Sequence, residues 1–350
     1  MSGKSPSIEV AQRAGLPRLP FTRSAGLVVC AVALLGACVL SLRVGSIGIS
    51  NADAFDALFA YDAESYNQTV VRTLRLPRTL IALGVGAGLA VAGGVMQAAT
   101  RNPLAAPQIL GVNTGAAFAI VTAIFFIGLS DPAQYVWFAF AGALAAAALV
   151  YGIASAGRGG ATPVKLALAG AVITALLSSW ITAILLLDQQ TLDIVRFWLA
   201  GSVAGRSLDI FWMVSPLLAL GVAGGLLISH QLNVLSLGDD MARALGMHTT
   251  RIRGIAAVLV VLMTGAAVAA AGPIGFVGLA VPHIVRTFTG PDYRWILPYC
   301  VLCGPLLLLL ADVAGRVIVR PAELQVGIVT ALVGAPFLVA IARSRRIASL

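Results

Sequence analysis

Hydrophobic positions in this chain come in blocks rather than stripes. Runs of Ala, Val, Leu and Gly, each almost free of charge, alternate with short polar interruptions. Ten such blocks can be drawn, at 25–44, 78–99, 108–129, 134–156, 164–187, 209–229, 254–271, 274–288, 294–313 and 325–343. A run of about 20 apolar residues at 1.5 Å rise matches the hydrocarbon thickness of a bilayer. The pattern predicts an all-α integral membrane protein of about ten transmembrane helices. Strand-like alternation is absent and the blocks are too long for barrel strands. The third and eighth blocks are rich in Gly and Pro and read as short or broken helices. The longest interruptions fall at 45–77, 188–208, 230–253 and 314–324.

Composition agrees. The 350 residues are 59% hydrophobic and 11% charged, against roughly 25% charged for a soluble domain. The first 24 residues are basic and turn-rich, and the first block lacks a small-residue cleavage site. They read as a retained N-terminal tail (1–24), with 25–350 as a single membrane domain. Ten crossings put both termini on one side. With the tail inside, fifteen of the 23 Lys and Arg lie inside and eight outside, while ten of the 14 acids lie outside. The positive-inside rule therefore places both termini in the cytoplasm. Topology accounts for the net charge of +9, and no nucleic-acid partner is implied.

Small residues recur at helix-packing spacing, as Gly84/Gly88, Gly111/Gly115, Gly201/Gly205 and Gly221/Gly225. Trp137, Trp198, Trp212 and Trp295 sit near block ends as interfacial anchors would, whereas Trp180 faces a neighbouring helix.

Several chemistries are missing. There is no GxxxxGK[ST], HExxH or GxSxG. His230, His248 and His283 are scattered near block ends. Cys30, Cys38, Cys300 and Cys303 lie within apolar runs. Cys300 and Cys303 form a CxxC with no second pair and no neighbouring His or acid, so packing is the better reading. No metal, cofactor or catalytic residue is predicted. Asp188 and Asp312 lie towards outer block ends, so no ionisable group marks a coupling site deep in the bundle. Energy for transport then has to come from another chain.

Two polar stretches carry the remaining signal. LGDDMARALGM (237–247) lies in an inner loop at about 233–250. Asp239 and Asp240 suit a helix N-terminus, Met241, Ala244 and Leu245 share a face, and Gly246 can stop the helix. A helix lying on lipid headgroups would show more Lys and Arg; adjacent acids fit docking into a protein groove better. In the second stretch, 75–119, the chain turns at Arg101-Asn102-Pro103, and Pro103 and Pro107 forbid a continuous helix. Asn102, Asn113 and Thr114 could line a path or only satisfy broken backbone.

RLPRTL, GGVMQAATRNPLAAPQILGVNTGAA, LGDDMARALGM, GPIGFVGLAVPHIVR, LLLADVAGR and ELQVGIVTALVGAPFL, in this order, resemble the FecCD permease family. These are the membrane subunits of ABC importers for iron–siderophore complexes, haem and vitamin B12. The resemblance implies a BtuC-like fold of ten helices in the bacterial cytoplasmic membrane, paired with an identical copy or a paralogue. It implies two cytoplasmic ATPase subunits beneath and a substrate-binding protein outside, so this subunit is not itself an enzyme. It assigns ATPase coupling to Asp239, Asp240, Arg243, Ala244, Leu245 and Gly246, and binding-protein docking to Arg75, Arg78 and Arg316. For these arginines, pairing with Asp312, Glu323 or lipid phosphates is the alternative. Asn102, Pro103 and Leu104 match an inner gate, with Thr162 where a second gate segment falls. The implied cargo is a ferric siderophore, with cobalamin or haem as alternatives. A stand-alone secondary carrier ranks lower because it needs a buried coupling group, and a scaffold without transport leaves the two polar stretches unexplained.

Overall fold

The computed structural model describes residues 23–45, 47–129, 131–156 and 162–343, and among these all regular structure is helical. Each apolar block forms a helix: α1 (Arg23–Arg43), α4 (Leu76–Thr100), α5 (Val112–Ile127), α6 (Pro132–Ser155), α7 (Pro163–Leu187), α9 (Leu208–Leu227), α12 (Thr249–Ala271), α13 (Val277–Thr289), α14 (Tyr293–Ile318) and α15 (Val326–Arg343). The polar interruptions hold shorter helices: α2 (Asn51–Phe59), α3 (Tyr66–Val70), α8 (Gln189–Leu199), α10 (Ser229–Ser236) and α11 (Asp239–Ala244). Among the described residues, seven helices are long and apolar enough to cross a bilayer, while α5, α13 and α15 are shorter. The two expected to be short or broken are short: α5 has 16 residues and follows a 3-10 turn at Pro107–Leu110, and α13 has 13.

The core is built around α4. It packs against α9, α12, α13 and α14, and its small residues let those helices approach closely. A Cβ on Gly93 would run into the backbone of Gly278 on α13, and one on Gly86 into Gly304 and Pro305 on α14. A Cβ on Gly88 would meet Leu218 of α9, and one on Gly221 would meet Met263 of α12. These contacts explain why so much of the chain is Gly and Ala: without a hydrophobic drive between helices in lipid, close packing has to hold them. By contrast α7 presents Val164, Leu168, Val172 and Leu176, one turn apart, to its surroundings.

Four expectations change. The helix containing α4 starts earlier than position 78: it runs unbroken from Tyr66 to Thr100, with a π-turn at Val71–Arg75. Gly201 and Gly205 are not a helix-packing pair, since both lie in the loop between α8 and α9 with positive φ. Trp198 is buried rather than interfacial, whereas Trp180 donates to Thr122 on α5 as expected (3.1 Å). Asp312 lies towards the outer end of α14 as expected, but it is fully buried, so the bundle does enclose an ionisable group there.

Candidate functional site

The stretch 237–247 forms one short helix with well-defined ends. Gly238, at φ +106°, is its N-cap, and no side chain caps it. Asp239 and Asp240 thus occupy the first turn instead of capping it, where the helix dipole still favours them. The other end is a Schellman turn. Gly246, at φ +80°, donates to Arg243 O (2.9 Å), and Met247 donates to Ala242 O (2.9 Å).

Only Ala242 of α11 is buried. Leu237, Met241 and Leu245 are 63%, 54% and 61% exposed, a set of large apolar side chains left open among the described residues. Arg243 and Asp240 are exposed beside it, 3.9 Å apart. Ala244 and Gly246 are exposed as well.

Asp239 points the other way. Arg253, in the first turns of α12, donates to both carboxylate oxygens at 2.6 and 3.1 Å. Arg101 stands 3.8 Å from the same group. Hydrogen bonding by Arg253 holds the Asp239 carboxyl below the ordinary carboxylate range, against partial burial that would raise it. Nearby, Asn233 of α10 donates to Asp292 (2.6 Å) and accepts from the Tyr293 backbone (2.8 Å), tying α10 to the start of α14. Asp292 is also held below the carboxylate range, chiefly by hydrogen bonding from Arg294.

The α4–α5 turn lies next to this helix. Arg101 adopts the left-handed conformation (φ 51°), Asn102 Oδ1 accepts from Leu104 N (3.0 Å), and Asn102 O accepts from Ala105 N (3.0 Å). Asn102 and Leu104 are exposed and Pro103 is half-buried. Beyond the turn is a cavity of about 220 Å³, lined by Gln108, Asn113, Thr264, Phe276 and Leu338 among others. Asn113 reaches this cavity, and Thr114 is not among its lining residues. Thr162 caps α7 by accepting from Lys165 N (3.3 Å), and the loop 157–161 before it lies outside the described residues.

The arginines at the opposite end of the bundle are not presented as a surface patch. Arg75, Arg78 and Arg316 are buried, at 6%, 9% and 2% exposure. Arg75 donates to Leu42 O (2.9 Å) and to Ile47 O. Arg78 forks onto Asp312 (2.8–3.1 Å) and reaches Glu323 (2.7 Å). Arg316 pairs with Asp312 and donates to the carbonyls of Ser41 (2.8 Å) and Val44 (3.0 Å). The cluster fastens α1, α4, α14 and the approach to α15 together. The i,i+4 spacing of Asp312 and Arg316 was a sequence signal for one of these pairs. Exposed arginines at this end include Arg72, stacked 4.4 Å above Tyr61, Arg196, paired with Asp193 at 3.2 Å, and Arg320.

The chain is 47% identical over 307 residues to the Fe(3+)-citrate import system permease protein YfmD of Bacillus subtilis, covering 88% of this chain and 91% of that protein. It is 43% identical over 312 residues to the ferric enterobactin transport system permease protein FepD of Escherichia coli, covering 89% and 93%. Its fold is similar to a solved structure described as an inward-facing metal-chelate type ABC transporter, with a TM-score of 0.80, 31% identity, and coverage of 91% of this chain and 99% of that one. The profile of the FecCD transport family matches residues 33–344. With the helical bundle, the short helices α5 and α13 and the exposed α11 already in place, these matches settle the affiliation: the chain belongs to the FecCD transport family.

Proposed function

We propose that this chain is the permease subunit of an ABC importer for a ferric chelate, with a siderophore as the leading cargo. The observation that carries this is the pairing of relatives named for ferric citrate and ferric enterobactin transport with the exposed apolar side chains of Leu237, Met241 and Leu245 on and beside the short helix α11. Residues 25–350 form one permease domain, with both termini in the cytoplasm and α11 on the cytoplasmic side. Leu237, Met241 and Leu245 fill a groove on an ATPase subunit, and Asp240 and Arg243 orient the contact. Such large apolar anchors supply most of the energy in a protein interface, and rim charges mainly set association rate. The α4–α5 turn at Asn102, Pro103 and Leu104 forms the inner gate, with Thr162 at the start of a second gate segment. Two permease subunits, alike or paralogous, flank the path, and a binding protein docks at the opposite face. Docking by Arg75, Arg78 and Arg316 requires a partner carboxylate to compete with their internal acceptors, whereas Arg72 and Arg320 already face outward.

Uptake of radiolabelled ferric siderophores, ferric citrate, haem and cobalamin in a strain lacking the chain tests this reading. Restoration of ferric-chelate uptake alone is expected. Restoration of cobalamin or haem uptake instead would reassign the cargo, and energy-dependent uptake without an ATPase subunit would remove the importer reading.

A further inference from the structure

We propose that Arg253 and Asp239 form a joint through which movement of α11 reaches the α4–α5 turn. The proposal rests on the importer reading above and deepens it. Three elements meet at one guanidinium. Its Nη atoms hold the Asp239 carboxylate on α11 at 2.6 and 3.1 Å, while its Nε donates to Ala99 O in the last turn of α4 (3.3 Å). Arg101, which caps α4 and opens the turn, adds a second positive charge 3.8 Å from the same carboxylate. The planar fork of arginine can make these bonds together; the single ammonium of lysine cannot reproduce them.

The surroundings single this joint out. Asn233 anchors α10 to the start of α14 on one side. Within α11 only Ala242 is buried, so the helix is otherwise lightly attached. Besides the buried Ala242 and the chain connections to α10 and α12, a push on the exposed face of α11 has the Asp239 pairing to carry it, and from there it reaches the last turn of α4 and the residues that follow, 101–104. Asp239 is thus a positioning residue acting within the chain, rather than a charge offered to a partner.

The test uses the full complex of permease, ATPase and binding protein in proteoliposomes. The readout is chelate imported per ATP hydrolysed, with whichever of ferric citrate, a ferric hydroxamate or a ferric catecholate the wild type takes up. Asp239→Asn, Arg253→Lys and the double variant are compared, and copurification of the ATPase subunit is scored. The ratio is expected to fall about three- to tenfold in each single variant, with the double variant no worse than the weaker single. The ATPase subunit should still copurify, and Asp239→Glu should recover part of the loss. Any of three results overturns the joint: an unchanged ratio in Asp239→Asn, loss of ATPase copurification, or a double-variant defect equal to the product of the singles. A variant recovered only as aggregate also counts against it, since Asp239 would then serve folding. If the wild-type complex shows no ATP-driven uptake, the importer reading fails instead, and no variant is needed to see it.

Discussion

Two clusters of arginine and aspartate sit at opposite ends of this bundle and differ in burial. Around Asp312, two guanidiniums and their acceptors are enclosed within or at the ends of α1, α4 and α14. Around Asp239, the pairing partner Arg253 is about a third exposed, and α11 is otherwise held by one small buried side chain. The first arrangement resists movement because separating its members leaves charges unpaired in a low-dielectric interior. The second can be shifted with water at hand to solvate whatever it uncovers. The same residue types thus make a staple at one end and a hinge-like attachment at the other, and burial decides which.

The difference can be broken most forcefully at Asp312. Asp312→Ala strands Arg78 and Arg316 in the bundle, and a loss of about 3–5 kcal/mol is expected. Thermal unfolding of detergent-extracted protein should show it as a large drop in Tm or in recovered folded protein. Next is the uncovered face of α11. Changing Leu237, Met241 and Leu245 together to Ser should leave Tm in place, because none of these side chains is buried. ATPase copurification and uptake should fall at least about tenfold, a loss of roughly 1.4 kcal/mol or more in association.

Smaller effects sharpen the comparison. Gly246→Ala places a Cβ in open space but at φ +80°, so only backbone strain of about 1–2 kcal/mol opposes it. The helix end should fray and uptake should fall severalfold, with the bundle's Tm unchanged. The pH response of the Asp239 pairing has a definite sign. Its folded-state pKa lies below the ordinary value of 3.8, so its contribution is complete above that value and disappears as pH falls through the lower, folded-state pKa. Uptake per ATP should therefore stay flat from neutral into mildly acidic pH, and a decline already at pH ~6 would contradict the pairing. The smallest change belongs to Asp240→Asn, whose side chain is fully exposed and lies at 3.9 Å from Arg243. No measurable shift in Tm is expected, and association with the ATPase should become less sensitive to salt.

Much of the architecture was legible because it rests on local pattern. Blocks of apolar residues have to become helices in lipid, since no water is present to satisfy a bare backbone. Pro103, Pro107 and the Gly-rich run before α13 marked the short helices for the same reason. Gly246 announced a helix end by its place after a short amphipathic turn. What escaped was pairing at a distance. Nothing local says that Asp239 bends back to Arg253, 14 positions on, and so leaves the exposed face to Leu237, Met241 and Leu245. The outer arginines matched a docking motif, but whether a guanidinium faces water or an aspartate is a property of the packed bundle. Asp312 and Glu323 could be named from the sequence as alternative partners, and the four-residue spacing of Asp312 and Arg316 favoured one pair, but the choice between partner and docking was not local.

The central claim is that the bundle is driven from below through α11. Its most direct test is uphill accumulation of a ferric chelate in vesicles that contain the chain and its binding protein, with and without the ATPase subunits and ATP. Accumulation is expected only when the ATPase and ATP are both present, and it should vanish when Leu237, Met241 and Leu245 are all changed to Ser. Accumulation by the chain without any ATPase, or undiminished accumulation by the triple variant, would contradict it.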